Sequence, residues 1–291
     1  MPFTVNEGVR LFWRESGSGD SLLLIMGLGY YSGMWHHVES KLARRFRVIL
    51  FDNRGIGKSE APPGPQLIPQ MAEDAVAVLD AAGAESAFVF GLSMGGFIAQ
   101  ELALRYPQRL RALVLGATAC GGPHVVRARQ EVQDTLLSRA RMPAEQSIRV
   151  MIPYIYDAGT PATRIEADLA VRLADYPDPK VYLGQLEGIR LWQSCDRLHN
   201  IELPTLILHG QNDELVPPAN AHLLAQHITG SRLCLIPNAS HVFTTDTPDQ
   251  AVQLIAEFLL CGSADQVGDS TNHGGAVRDD GLLPGPGSAE R

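Results

Sequence analysis

The chain has 291 residues, of which 45% are hydrophobic and 19% charged, the balance of a globular protein that buries a sizeable core. Its net charge of -8 argues against nucleic acids and anionic membranes as partners, because neither attracts an acidic surface. No apolar run reaches the length of a transmembrane helix, and the N-terminus lacks the pattern of a signal peptide. We therefore expect a cytoplasmic protein with no membrane partner.

The first 120 residues alternate short apolar runs with segments of helical periodicity. Two short strands are predicted around a turn at residues 6–8, and the continuous apolar run at 22–25 is typical of a strand buried on both faces. Further strands are predicted at residues 47–51, 88–90 and 110–115, and helices at 32–46, 66–82 and 97–106. This alternation predicts an α/β fold with a mostly parallel central sheet and helices on both faces.

The alternation breaks between residues 121 and 200, where helical periodicity is interrupted by prolines and no strand is evident. Strands resume at residues 205–208 and 232–236, with helices at 218–227 and 248–260. We predict a core formed by residues 1–120 and 201–261, with a helical cap at 121–200 inserted into it. Residues 262–291 are rich in Gly, Ser, Asp and Pro and are predicted to be a disordered tail.

The pentapeptide Gly91-Leu92-Ser93-Met94-Gly95 has the G-x-S-x-G pattern of a nucleophile elbow. The pattern also arises by chance, but here an apolar strand precedes it and a helix follows it. An elbow holds its serine in a strained backbone conformation, and the two glycines let the strand and the helix approach closely. Ser93 is therefore the predicted nucleophile.

A serine nucleophile needs a base and a carboxylate that orients the base. His241 follows the strand at 232–236, at the carboxyl edge of the predicted sheet, whereas His209 at a strand end is as easily explained by packing. Asp213 follows the strand at 205–208 on the same edge and is the predicted acid. Two alternatives stay open at this point: Asp213 forms only an Asx-type turn, or the neighbouring Glu214 is the acid.

The developing oxyanion of an acyl-transfer reaction needs two hydrogen-bond donors. The backbone N–H of Met94 follows the nucleophile directly. The N–H of Leu28 lies in the loop after the strand at 22–25, between two glycines. We predict these two groups as the oxyanion donors.

No cofactor or metal is predicted. The stretch that starts at Gly27 has its third glycine one residue too late for a dinucleotide fingerprint. The stretch ending in Gly57-Lys58-Ser59 has Asp52 where a phosphate-binding loop requires glycine. The histidines show no metal-ligand spacing.

The four cysteines are far apart in the sequence and form no C-x-x-C motif; they are Cys120, Cys195, Cys234 and Cys261. Cysteines with this distribution in a cytoplasmic protein are typically reduced. We therefore predict four reduced, buried, structural cysteines.

Over about residues 8–260 the chain resembles the α/β-hydrolase superfamily. The resemblance is carried, in order, by LLLIMGLG, FDNRGIGKS, GLSMGG, HGQNDELVP and SHVF. Within the superfamily it resembles the branch of 3-oxoadipate enol-lactonases, cofactor-free bacterial haloperoxidases (perhydrolases) and small carboxylesterases. The resemblance implies Ser93, Asp213 and His241 as a catalytic triad, Leu28 and Met94 as oxyanion residues, and a cap over the active site. One departure is Met26-Gly27, where many relatives carry His-Gly.

The predicted function is that of a serine hydrolase which cleaves a small carboxylic ester or lactone through an acyl-enzyme. The alternatives are a perhydrolase or non-haem haloperoxidase with the same triad, and a non-catalytic receptor for a small ligand. The sequence is also compatible with a homo-oligomer. Five aromatic residues of the cap are candidates either for the pocket or for the cap's own core: Tyr154, Tyr156, Tyr176, Tyr182 and Trp192.

Overall fold

The computed structural model of the protein describes residues 3–264, in which one eight-stranded sheet has the order β1-β2-β4-β3-β5-β6-β7-β8. The β1–β2 and β2–β4 pairs are antiparallel, and the remaining pairs are parallel. The strands are β1 (Phe3–Asn6), β2 (Val9–Ser16), β3 (Ser21–Ile25), β4 (Arg47–Phe51), β5 (Ala87–Leu92), β6 (Leu110–Gly116), β7 (Thr205–Gly210) and β8 (Arg232–Ile236). The prediction of a mostly parallel α/β sheet is confirmed.

Helices cover both faces of the sheet and fill the segment between β6 and β7. The α-helices are α1 (Glu39–Leu42), α2 (Ile68–Ala81), α3 (Met94–Arg105), α4 (Gln130–Ser138), α5 (Ala144–Arg149), α6 (Ile152–Ile155), α7 (Ala162–Ala174), α8 (Pro179–Leu191), α9 (Ala219–His227), α10 (Phe243–Asp246) and α11 (Pro248–Ala264). Short 3-10 helices span Ser32–Trp35, Pro107–Arg109, Arg139–Arg141 and Cys195–Asn200. Within residues 3–264, no helix is both long and apolar enough to cross a membrane.

The apolar run of β3 is buried on both faces because successive side chains of a strand point to opposite sides. Leu23 and Ile25 pack into the core cluster that contains α2 and α3. Leu22 and Leu24 pack into the opposite cluster, together with residues of α11. A strand covered on both sides needs no polar alternation, which explains the continuous run in the sequence.

The parallel strands direct their carboxyl ends to one edge of the sheet. The loops after β3, β5, β7 and β8 therefore meet there, and they carry Leu28, Ser93, Asp213 and His241 respectively. This edge is where α/β proteins bind their ligands.

The single helix predicted at residues 32–46 is wrong: a 3-10 turn at Ser32–Trp35 and the short α1 replace it. His36 and His37, which lie between the two, both place Nε2 within 3.0 Å of the same Asp168 Oδ1. Adjacent positions of one continuous α-helix do not face the same partner. The interruption is thus compatible with both imidazole rings reaching the same carboxylate oxygen.

The segment predicted as a cap, residues 121–200, contains α4 to α8. An isolated β-bridge joins Gly121 to Gln193, so that the two ends of the segment lie side by side. The boundary predicted for the tail, after residue 261, falls within α11, and residues 265–291 lie outside the described residues.

Two of the cysteines predicted to be reduced form a disulfide. Cys120 and Cys195 are joined with their Cα atoms 5.0 Å apart, although 75 residues separate them in sequence. The β-bridge next to them and a hydrogen bond from Ser194 N–H to the Cys120 carbonyl oxygen (2.8 Å) bring the two ends of the segment together. Cys234 is a free cysteine, and the side chain of Cys261 lies outside the described part of the chain.

We predict that Cys195→Ala lowers the free energy of unfolding by about 2–5 kcal/mol, because the bond closes a long loop that is otherwise open in the unfolded chain. Urea unfolding of the two proteins without reductant measures this difference. Cys234→Ala is the control and should change stability by less than about 1 kcal/mol. An unchanged melting temperature of the wild-type protein after reduction would contradict the prediction.

Candidate active site

Ser93 lies in the sharp turn between β5 and α3, where its backbone has φ 57° and ψ -120°. A positive φ is strained for a residue with a side chain and persists only where the surroundings enforce it. Here the Ser93 N–H donates to the Gly116 carbonyl oxygen at 2.8 Å, and the Ser93 carbonyl oxygen accepts from Gly96 N–H and the Thr118 hydroxyl. These bonds hold the serine in the elbow conformation.

The two flanking glycines are required by close backbone contacts. A Cβ atom at position 91 would overlap the Gly95 carbonyl group, and one at position 95 would overlap the Ile25 carbonyl group of β3. Any other residue would force β3, β5 and α3 apart. The G-x-S-x-G spacing thus follows from the packing of three elements around Ser93.

The structure brings Ser93, His241 and Asp213 into one hydrogen-bonded chain. His241 Nε2 lies 2.9 Å from Ser93 Oγ, and His241 Nδ1 lies 2.9 Å from Asp213 Oδ2. A carboxylate only accepts hydrogen bonds, so Nδ1 carries the proton. Nε2 is then free to accept the proton of the Ser93 hydroxyl.

Asp213 uses its two oxygens for two different tasks. Oδ1 accepts from the N–H groups of Leu215 (3.0 Å) and Val216 (2.8 Å), which is the Asx-type turn considered as the alternative. Oδ2 faces His241. Burial favours the neutral acid, but the charge of His241 and hydrogen bonds lower the pKa of Asp213 to about 2. Glu214 is instead exposed and pairs with Arg129.

A second histidine contacts Asp213. His209 is fully buried, and its Nε2 lies 2.7 Å from the Val216 carbonyl oxygen and 3.1 Å from Asp213 Oδ2. Because a carbonyl oxygen only accepts, Nε2 carries a proton that both oxygens share. The sequence placed His209 at a strand end without indicating this contact.

The two N–H groups predicted as oxyanion donors border the same cavity as Ser93. Among the described residues, neither Leu28 N–H nor Met94 N–H donates a hydrogen bond to the protein. The loop at Gly27 packs against Ser93 so closely that a Cβ there would lie 3.0 Å from the Ser93 Cβ. Asn53 Nδ2 and Gln185 Oε1 fix this loop by hydrogen bonds to the Met26 carbonyl oxygen (2.8 Å) and to Gly29 N–H (2.9 Å).

A cavity of about 170 Å³ opens beside Ser93. Most of its walls are apolar, and the core and the helical segment both contribute, the latter through Leu136, Arg139, Met151, Ile155, Arg172, Leu186 and Ile189. The sequence analysis missed the polar residues of the lining other than Ser93 and His241, which are Tyr30, Thr118, Arg139, Arg172 and Thr244. None of the five aromatic candidates of the segment is among the described residues that line this cavity.

The Hydrolase_4 family model, described as serine aminopeptidase, S33, matches residues 19–248. The chain belongs to this α/β-hydrolase family. The predicted resemblance to α/β-hydrolases is thereby confirmed, and the protein is a hydrolase by family.

Relatives of this hydrolase act on several kinds of acyl bond, according to their names. It is 33% identical to RutD of Azorhizobium caulinodans, named as a candidate carbamate hydrolase, over 91% of this chain and all of the relative. It is 32% identical to the pimeloyl-[acyl-carrier protein] methyl ester esterase of Aeromonas hydrophila, over 84% and 96% of the two chains. The crystal structure of the enol-lactonase of Burkholderia xenovorans aligns with a TM-score of 0.80 at 27% identity, over 89% and 100%.

The loop that carries His241 is fixed by a buried carboxylate of the hydrolase, Asp246. Its Oδ2 accepts from Ser240 N–H at 2.7 Å, and its Oδ1 accepts from the Thr160 hydroxyl at 2.6 Å and from Asp157 N–H at 3.3 Å. Asp246 therefore ties the residue next to His241 to the helical segment. Burial raises the pKa of Asp246 from its ordinary 3.8 to about 6, against the opposing effect of these hydrogen bonds.

A second buried carboxylate, Asp168 of α7, joins the segment to the core. Its Oδ1 accepts from His36 and His37, and its Oδ2 accepts from the Tyr156 hydroxyl (2.9 Å) and the Thr245 hydroxyl (2.7 Å). The ligand atoms of His36, His37 and Asp168 lie within 4.8 Å of one another, a grouping that could hold a metal ion. Sequence spacing did not reveal it, because Asp168 follows His36 by 132 residues.

We predict that Asp246→Asn becomes more stable relative to the wild type as the pH rises. A raised pKa means that the folded protein keeps the proton longer than the unfolded chain. The bound proton stabilises the folded wild type by at most about 3 kcal/mol. This stabilisation is complete below about pH 4 and is lost as the pH rises past 6. Asparagine does not titrate, so urea unfolding between pH 4.5 and 7 should show the two curves diverging.

The exposed Asp249 is the control for this prediction. Lys41 lowers the pKa of Asp249 from its ordinary 3.8, so this group is ionised in both the folded and the unfolded protein above about pH 4.5. The stability of Asp249→Asn should therefore run parallel to that of the wild type between pH 4.5 and 7. If the free energies of unfolding of Asp246→Asn and the wild type changed in parallel with pH, the raised pKa of Asp246 would be contradicted.

Proposed function

We propose that the protein is a serine hydrolase that cleaves a carboxylic ester or lactone of small size through an acyl-enzyme intermediate. The proposal rests on one observation above all: Ser93 Oγ, both nitrogens of the His241 ring and Asp213 Oδ2 form a continuous chain with two 2.9 Å links at the wall of a cavity. This arrangement activates a hydroxyl that is otherwise a poor nucleophile.

In the first half of the reaction, His241 Nε2 takes the proton of Ser93 as Oγ attacks the substrate carbonyl carbon. Asp213 stabilises the imidazolium that forms and keeps its ring orientation. The negative oxygen of the tetrahedral intermediate is bound by the N–H groups of Leu28 and Met94, each worth about 3 kcal/mol in such a site. The imidazolium then protonates the leaving oxygen, and the bond between it and the acyl carbon breaks.

In the second half, the acyl-enzyme is hydrolysed by the same groups. His241 removes a proton from water, the resulting hydroxide attacks the acyl carbon, and Ser93 Oγ leaves with the proton that His241 returns. The products are the carboxylic acid and the alcohol, or one hydroxy acid from a lactone. No step requires a cofactor.

We also propose that residues 121–200 serve as a cap that selects the substrate. The support is that seven residues of this segment line the cavity beside Ser93. A cavity of about 170 Å³ is smaller than the ~300–1,000 Å³ typical of drug-sized ligands. The proposed substrate is therefore a short-chain ester or a small lactone.

Ser93→Ala should reduce turnover of p-nitrophenyl butyrate by about three or more orders of magnitude, because no other group forms the acyl-enzyme. When the reaction with this ester is quenched during turnover, intact-protein mass spectrometry should show a butyryl adduct on the wild type and none on the variant. Retained esterase activity of purified, folded Ser93→Ala would exclude this serine. Tight binding of esters without any turnover by the wild type would instead support a receptor.

The role of Asp213 as the carboxylate that orients His241 is tested by substituting Asp213 and its neighbour Glu214 separately. Asp213→Asn should lower kcat by about 10⁴, because the amide stabilises the wrong tautomer of His241. Glu214→Gln, at the exposed site beside Arg129, is the matched control and should change kcat less than about twofold. Equal effects of the two substitutions would contradict the role of Asp213.

A further inference from the structure

We propose that the cavity beside Ser93 binds an acyl group that ends in a carboxylate, and that Arg139 and Arg172 bind this carboxylate. The substrate would then be a half-ester of a short dicarboxylic acid. The inference rests on the proposed function, since it names the substrate class of the same site.

Arg172 carries hydrogen-bond donors that the protein does not use. It is 1% exposed and lines the cavity, and its Nε and Nη2 atoms are buried without a hydrogen-bond partner among the described residues. A buried guanidinium donor without a partner is costly, because it has lost its water and gained nothing in return. An anion in the cavity would supply the missing acceptor.

Arg139 lines the same cavity and is also buried. Its Nη2 donates to the Tyr30 hydroxyl at 2.8 Å and its Nε donates to the Ser147 carbonyl oxygen at 3.0 Å. The guanidinium carbon of Arg172 lies 4.4 Å from the centre of the Tyr30 ring. The two cations therefore converge on one aromatic residue.

The charges of this cluster do not balance. Neither arginine forms an ion pair with a carboxylate within residues 3–264, and the nearby Asp168 already accepts from four other donors. Two buried positive charges thus face one negative charge. Although burial alone would raise it, the pKa of Tyr30 is lowered by the charges of Arg139 and Arg172, which shows the same positive field.

The remaining cavity walls suit an alkyl chain between the ester group and the carboxylate of the proposed substrate. Apolar side chains from the core and the segment, among them Met34, Met151, Ile155 and Val242, line the cavity that both Ser93 and the arginines border. A short methylene chain fits such walls, with the ester carbonyl at Ser93 and the carboxylate at the guanidinium groups. A planar carboxylate matches the fork of donors on an arginine.

The test compares esters of equal chain length that differ in charge. Mono-p-nitrophenyl glutarate and mono-p-nitrophenyl adipate carry the carboxylate, and p-nitrophenyl pentanoate and hexanoate are their neutral partners. Rates measured with Ser93→Ala are subtracted, because the half-esters also hydrolyse by themselves. For the wild type we expect kcat/KM to be at least tenfold higher for the anionic member of one pair, the size of a charge-assisted hydrogen bond.

The arginines are then tested by the ratio of the two kcat/KM values. Arg172→Gln and Arg139→Gln should each lower the ratio of anionic to neutral ester by about tenfold, and Arg172→Lys should restore part of it. Arg149→Gln, on the exposed face of the same segment, is the matched control and should leave the ratio unchanged. A further experiment uses the wild-type protein alone. Free glutarate should competitively inhibit hydrolysis of p-nitrophenyl pentanoate, and the uncharged glutaramide should not.

Two results would overturn the inference and leave the proposed function standing. The first is Ser93-dependent hydrolysis of the neutral esters with no preference for the anionic ones and no inhibition by glutarate. The second is a preference for the anionic esters that both glutamine variants retain. The inference would also be overturned if the wild type hydrolysed none of the four esters and glutarate did not inhibit its hydrolysis of p-nitrophenyl butyrate.

Discussion

The site depends on how closely β3, β5 and α3 approach one another. Gly91 and Gly95 leave no room for a Cβ atom, and this contact bends the chain so sharply that Ser93 must adopt a positive φ. Hydrogen bonds hold this strained residue on both sides: its N–H donates to Gly116 of β6, and its carbonyl oxygen accepts from Gly96 N–H and the Thr118 hydroxyl. The same bend exposes the Ser93 hydroxyl at the edge of the sheet and starts α3 directly behind it. The free Met94 N–H is a consequence of that helix start.

The carboxylate of Asp213 shows how one side chain satisfies a local and a distant requirement together. Its Oδ1 closes the turn after β7, which fixes the position of Oδ2 for His241. An aspartate is short enough to do both, whereas the longer Glu214 extends to the surface. The Asx-type turn and the orientation of the histidine are therefore not competing explanations. The turn is the means by which the carboxylate is held in place.

The sequence was informative wherever function depends on local pattern and chain order. Strand ends of a parallel sheet meet at one edge, so the positions of Ser93, Asp213 and His241 along the chain sufficed to predict that they meet. The disulfide and the two cavity arginines were missed because no local sequence pattern marks them. Cys120 and Cys195 are 75 residues apart, and Arg139 and Arg172 lie on different helices of a segment without strand register. Helix packing depends on the sum of many side-chain contacts and leaves no short motif.

Buried carboxylates help to fix the placement of the helical segment on the core. At one side Asp168 binds Thr245 and Asp246 binds Ser240, two residues near His241. At the other side the disulfide joins Cys195 to Cys120, four residues after β6. Burying a carboxylate costs several kcal/mol unless every lone pair finds a donor, so each one tolerates few alternative geometries. Because Asp246 contacts the loop that carries His241 and Asp168 contacts α10 directly after it, a shift of the segment would break these bonds and displace His241. The same contacts therefore set both the walls of the cavity and the position of His241 at its edge.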